Sequence, residues 1–187
     1  QKPKLAVVIP DQHFPIHDEA AVNCVLEAIK IIKPDTFINL GDVGEFTSCS
    51  AWKWKDKKCP PLEYQLPFAF KNSCRIKERG YKFYSFNHPL KIGKLNFIHG
   101  AYATTYHAKK HLEAYGSNIL YGHTHDVQRH SLTKLDSGTI GAWSLGCLKD
   151  MSPAKNRWLK GRLHHWNHAF GIITWMSNGN FQVEVIE

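Results

Sequence analysis

Two short apolar runs on either side of one helical pattern constrain this chain more than any other feature. Leu5 to Ile9 (LAVVI) is continuous and of strand length, and Thr36 to Leu40 (TFINL) reads as a second buried strand. Between them lie a loop, PDQHFPIH, and a segment whose apolar positions Val22, Val25, Leu26, Ile29 and Ile32 recur at helical spacing. Asp18 is placed to cap that helix and Pro34 to end it. Strand, helix, strand with a connection of this length is a βαβ unit, so the two strands should run parallel with their carboxyl ends on one edge. That edge would carry Asp11 and His13 from the first strand and Gly41-Asp42 from the second. Loops at the carboxyl ends of parallel strands are where such sheets build their sites.

The order resumes at Asn96 with NFIHG, a helix-like stretch from about Thr105 to Tyr115, and NILYGHTH. The remainder reads as antiparallel strands: Val127 to Leu135, a turn at Asp136-Ser137-Gly138, Thr139 to Leu148, and a last hairpin turning at Asn178-Gly179. A length of 187 residues, 43% hydrophobic and 21% charged, suits one domain spanning 1–187.

Gly122-His123-Thr124-His125 places two histidines one residue apart after an apolar run. On a strand, side chains at i and i+2 share a face, so both imidazoles would enter one volume, a geometry that suits a metal. Among twelve histidines such a pair also arises by accident, so the pair alone decides nothing. Collected in order, however, the strand ends deliver Asp11-x-His13, Gly41-Asp42, His99-Gly100 and Gly122-His123-x-His125. Mixed carboxylate and imidazole donors suit a borderline-hard divalent cation, and an aspartate can bridge two ions about 3.5–4 Å apart. The expectation is a dinuclear site with Mn²⁺ foremost and Fe, Zn, Ni or Mg also admitted. Such a pair clamps a phosphate and makes hydroxide available near neutral pH, which is the chemistry of phosphoester hydrolysis.

In the order DxH, GD, HG and GHTH, from Ile9 to His125, the sequence resembles the calcineurin-like metallophosphoesterases. The resemblance implies an α/β fold of four layers, an αββα sandwich in which two mixed β-sheets pack between helices. It also implies that Asp11, His13 and His125 hold a first metal, that Asp42 bridges, and that His99 and His123 hold the second. Each has a plain structural use as well: Asp11 as a turn residue, Asp42 in a Gly-Asp turn, His99 as a half-buried strand histidine.

One block of the family, Gly-Asn-His-Asp/Glu between GD and HG, is missing. Its Asn completes the second metal shell and its His acts on the leaving group or transition-state charge, so the resemblance leaves the catalytic residue unknown. Asn87-His88 is the nearest string, Asn87 lying 45 residues after Asp42 but only 12 before His99. That leaves little chain for a helix between them. Around Gln65 to Phe70 the sequence jumps without a turn, and no helix and strand fill the interval between GD and HG, so the block is either carried on a segment omitted there, which is the favoured expectation, or truly deleted, or replaced by Asn87-His88.

The formal charge of +8 implies attraction to polyanions, nucleic acid above all. Cations and aromatics interleave in Lys155 to Phe170, where Lys155, Arg157, Lys160, Arg162, His164, His165 and His168 surround Trp158 and Trp166. These form either a nucleic-acid groove or a solvated loop with its tryptophans in the core. Trp52-Lys53-Trp54-Lys55 with Lys57 and Lys58 form a second such cluster, while His107, His111 and His130 read as surface or helix-face residues. Five cysteines without Cys-x-x-Cys spacing suit a reducing cytoplasm, and no apolar run approaches a membrane span.

No Gly-x-Ser-x-Gly elbow and no P-loop occurs. The leading expectation is a dinuclear metal-dependent phosphodiesterase or nuclease acting on a phosphoester in nucleic acid or nucleotides. A phosphomonoesterase or protein phosphatase on the same centre is the alternative, and a binding module weakened by the missing block is a third reading. Oligomeric state is left open.

Overall fold

The computed structural model of the chain describes residues 2–45, 82, 84, 88–136, 138–161 and 164–187. Strand β1 (Lys4–Ile9) leads through helix α1 (Glu19–Ile32) to β2 (Thr36–Asn39). After the undescribed stretch come β3 (Leu90–Ile92), β4 (Leu95–Ile98), helix α2 (His107–Tyr115) and β5 (Ile119–Tyr121). Four further strands follow: β6 (Gln128–Lys134), β7 (Gly138–Ser144), β8 (Phe170–Trp175) and β9 (Phe181–Ile186). They form two mixed sheets, ordered β2-β1-β8-β9 and β3-β4-β5-β7-β6.

The expected βαβ unit is present, with β1 parallel to β2 in the register Ala6 to Thr36 through Ile9 to Asn39. A second parallel pair, β4 and β5, repeats the arrangement in the other sheet. The chain end departs from a simple antiparallel run. β7 lies parallel to β5, and the last hairpin crosses back to the first sheet, where β8 pairs antiparallel with β1. The strand expected over Thr139 to Leu148 stops at Ser144.

Alternation explains why LAVVI is apolar throughout. Ala6 and Val8 face the space between the sheets with Ile38, Leu40, Leu95, Phe97, Leu120, Leu145, Ile173 and Trp175. Val7 and Ile9 face the other way, with Val25 of α1, Leu148 and Phe170. On the far side of the second sheet Ile98, Ile119, Tyr121 and Ala142 pack on Ala108 and Leu112 of α2. Helix, sheet, sheet, helix is the four-layer sandwich.

The Asp18 side chain accepts from the Ala21 N–H at 2.9 Å and caps α1, as its sequence suggests. Leu26 does not join the buried stripe; it is 48% exposed, because Val22, Val25, Ala28, Ile29 and Ile32 already fill the face toward the sheet. Nor is β2 buried as read, for it is an edge strand whose Phe37 is 37% exposed. No helix among the described residues is long and apolar enough to cross a membrane. Asn87, Arg162, the Trp52 to Lys58 cluster, the Gln65 to Phe70 junction and the Ser137 turn position lie outside the described residues.

Candidate metal centre

Parallel strands β1, β2, β4 and β5 all end toward one region, and the loops leaving them carry the six donor residues. Cross-ties hold those loops together. The His13 N–H donates to the Asp42 carbonyl at 2.8 Å and the Gly122 N–H to the His99 carbonyl at 2.8 Å. His125 has its carbonyl fixed by the Asn167 N–H at 2.8 Å.

His123 and His125 are not on a strand, since β5 ends at Tyr121. Both have positive φ, 72° and 62°, and so do His13 at 54° and Asp42 at 43°. Four non-glycine residues in the left-handed region within one site are a local cost that surrounding structure must impose. The consequence at GHTH is that its imidazoles part company instead of entering one volume. His125 groups with Asp11 and His13, and His123 with Asp42 and His99; either trio can hold a metal ion.

Distances within the two trios correspond. Nε2 of His13 lies 3.1 Å from Nε2 of His125, and Nδ1 of His123 lies 3.1 Å from Nε2 of His99. Donors about 2.0–2.1 Å from one ion at tetrahedral or octahedral angles stand about 2.9–3.4 Å apart, so both spacings fit a shared cation. Asp42 Oδ2 lies 3.7 Å from His13 Nε2 and 3.5 Å from His99 Nε2, between the trios. Asp11 Oδ1 is buried without a hydrogen-bond partner, although the other Asp11 oxygen accepts the His123 N–H at 2.6 Å. An unpartnered carboxylate oxygen in a dry site is what a divalent ion would satisfy.

The electrostatics divide the six donors. Burial drives the Asp11 carboxyl up to about 7, only partly offset by the His99 and His13 imidazoles. For Asp42 burial also opposes ionisation, but the His99 contact and the charges of His99, His13 and His123 outweigh it and hold the carboxyl at about 2. Burial, with His13 adding to it, pushes His125 well below its usual range, and burial with His99 lowers His123. Neutral His123 and His125 and an ionised Asp42 are ligand forms, whereas Asp11 and His99, the latter raised against its burial by Asp42 and Asp11, would release protons on binding a metal.

Several supporting residues were not foreseen. Glu45 Oε2 sits 2.8 Å from His13 Nδ1 and 3.1 Å from Nζ of Lys149, a lysine only 5% exposed. A carboxylate on the far nitrogen of a ligating histidine fixes its ring and raises its basicity. Behind GHTH, Asp126 Oδ1 lies 2.8 Å from Nε2 of His107, whose Nδ1 lies 2.6 Å from the Tyr121 hydroxyl. His111 stacks on Tyr121 with centroids 3.9 Å apart. Thus His107 and His111 are on a helix face but buried, against the surface reading, because α2 presses them onto β5. The acid directly after GHTH and the acid three residues after Asp42 were the only sequence signals. His88 belongs to neither trio.

No protein-family model matches the chain, and no curated protein matches it. Among solved structures, that of Vacuolar Protein Sorting 29 from Cryptosporidium parvum is similar with a TM-score of 0.51 at 12% identity, over 100% of this chain and 98% of that one. YfcE, a phosphoesterase from E. coli, gives a TM-score of 0.44 at 16% identity, over 97% of this chain and 98% of that one. At such identities the likeness is one of fold: two mixed sheets between helices, the calcineurin-like metallophosphoesterase architecture.

Proposed function

We propose that this chain, having the calcineurin-like metallophosphoesterase fold, is a dinuclear metal-dependent phosphoesterase, with phosphodiesters of nucleic acid or nucleotides as substrates. The observation that carries the reading is Asp42 Oδ2, 3.7 Å from His13 and 3.5 Å from His99, between two trios of metal-competent donors. Two divalent ions, Mn²⁺ foremost, would supply Lewis-acid polarisation of phosphoryl oxygens and a water acidic enough to ionise near neutral pH.

The chain's own residues would divide the remaining work. Asp11, His13 and His125 form the buried trio, suited to holding an ion away from bulk water. His123 and Asp42 are exposed, so the second trio faces the side from which a phosphate arrives. Glu45, itself held ionised by His13 and Lys149 against its burial, keeps the His13 ring oriented. The charge of +8 favours a polyanionic substrate, and a reducing cytoplasm remains the compartment we propose.

The test is turnover by purified protein with added Mn²⁺ on an aryl phosphodiester, an aryl phosphomonoester and single-stranded DNA, alongside Asp42→Asn. Multiple turnover on diesters that Asp42→Asn abolishes is expected. Faster monoester hydrolysis would reassign the substrate class, and metal binding without turnover would make the chain a binding module.

A further inference from the structure

Trp158 and Trp166, in the basic, aromatic segment that precedes β8, are respectively exposed and half-buried and not in the core. Asp126 bridges to Trp166, and the Trp166 ring meets the His125 ring edge-on with centroids 4.6 Å apart. Trp166 in turn contacts Trp158 at 5.8 Å and His164 at 4.7 Å, both tilted. Trp158 is 43% exposed on a short 3-10 turn over Arg157–Leu159, and His164 is exposed as well. An aromatic wall therefore starts at a metal-competent histidine and runs outward to solvent. Lys155, Arg157 and Lys160 beside it are exposed cations.

A half-exposed indole costs hydration that a solvated loop need not bear, and rings stepping away from a phosphate-binding centre suit a substrate with a flat group next to its scissile phosphate. Flanking cations require that substrate to carry further negative charge. A nucleobase on a polyanionic backbone has both properties, and bases stack on aromatic side chains whatever their sequence. We infer that Trp158 and Trp166, with His164 at their side, form a base-stacking subsite for the nucleotide adjoining the scissile phosphodiester, and that Trp158 supplies the stacking face open to the base. This rests on the phosphoesterase reading for the position of the phosphate.

The experiment compares kcat/KM with Mn²⁺ on a single-stranded oligonucleotide and on an abasic strand of equal length, for the unaltered protein, Trp158→Ala and Trp158→Phe. The expected result is a preference for the base-bearing strand that falls about tenfold in Trp158→Ala and is largely restored in Trp158→Phe. Equal turnover of both strands by the unaltered protein, or a preference that Trp158→Ala leaves unmoved, would overturn the subsite and leave the phosphoesterase standing. A stronger preference for a phosphotyrosine peptide than for either strand would assign the wall to a protein substrate and also overturn it. If neither strand nor any aryl ester is cleaved, the phosphoesterase reading fails instead. The wall is then judged by tryptophan fluorescence: quenching by the oligonucleotide that Trp158→Ala removes supports it, and absence of quenching ends it.

Discussion

Asp11 is fully buried, and its carboxyl holds a proton up to about pH 7, whereas in the unfolded chain it loses that proton near 3.8. Between those values the folded, metal-free protein binds more protons than the unfolded chain, so Asp11 makes stability fall as pH rises from about 4 to about 7. Asp42 and Glu45, both depressed, act oppositely: their contribution is present above their unfolded values and is lost as pH falls below about 4. Asp11→Asn keeps an oxygen for the His123 N–H while removing the charge. It should therefore stabilise the metal-free protein at pH 8, by at most about 4 kcal/mol, with the gain vanishing near pH 4. Thermal unfolding at the two pH values checks this, and a destabilised variant at pH 8 would show that the carboxylate is better solvated than its burial implies. Glu45→Gln tests the support of His13. Mn²⁺ affinity measured by calorimetry should drop about 10- to 100-fold while circular dichroism stays native; unchanged affinity would remove Glu45 from the site.

At the scale of elements, the loop after β5 is the tightest part of the centre. A Cβ on Gly122 would meet Oδ2 of Asp11 and come within 3.4 Å of the Pro10 Cβ. Gly122→Ala should push the Asp11 carboxylate aside and weaken metal binding at the buried trio at least tenfold, a loss readable in a Co²⁺ or Mn²⁺ titration; wild-type affinity would mean the loop yields cheaply. The same elements mark the reach of sequence reasoning. LAVVI and NILY announced strands because both faces of β1 and β5 are covered, and the donors followed from where those strands stop. The left-handed backbone at His123 and His125 leaves no such trace, since a non-glycine residue takes positive φ only where its surroundings impose it, and the sequence does not mark the position. Glu45 and Lys149 meet across 104 positions, and His107 and His111 are buried only because α2 lands on Tyr121. Contacts of that kind depend on tertiary placement rather than on local pattern.

Over the whole molecule, each trio takes donors from both sheets. Asp11 and His13 leave the first sheet while His125 leaves the second; Asp42 leaves the first while His99 and His123 leave the second. Bound ions would fasten the two sheets along the edge where β1, β2, β4 and β5 end. Metal at 100 times its dissociation constant should stabilise the fold by about 2.7 kcal/mol, with Tm rising with concentration and a chelator reversing the gain; a Tm indifferent to Mn²⁺ would argue against binding to the native state. The strand order carries a consequence in time. All six donors have been synthesised once residue 125 is made, yet β1 gains its neighbour β8 only from residues 170–175. A nascent chain thus exposes its full complement of metal-competent side chains well before the sheet that positions half of them is closed, and the centre matures last although its residues come first.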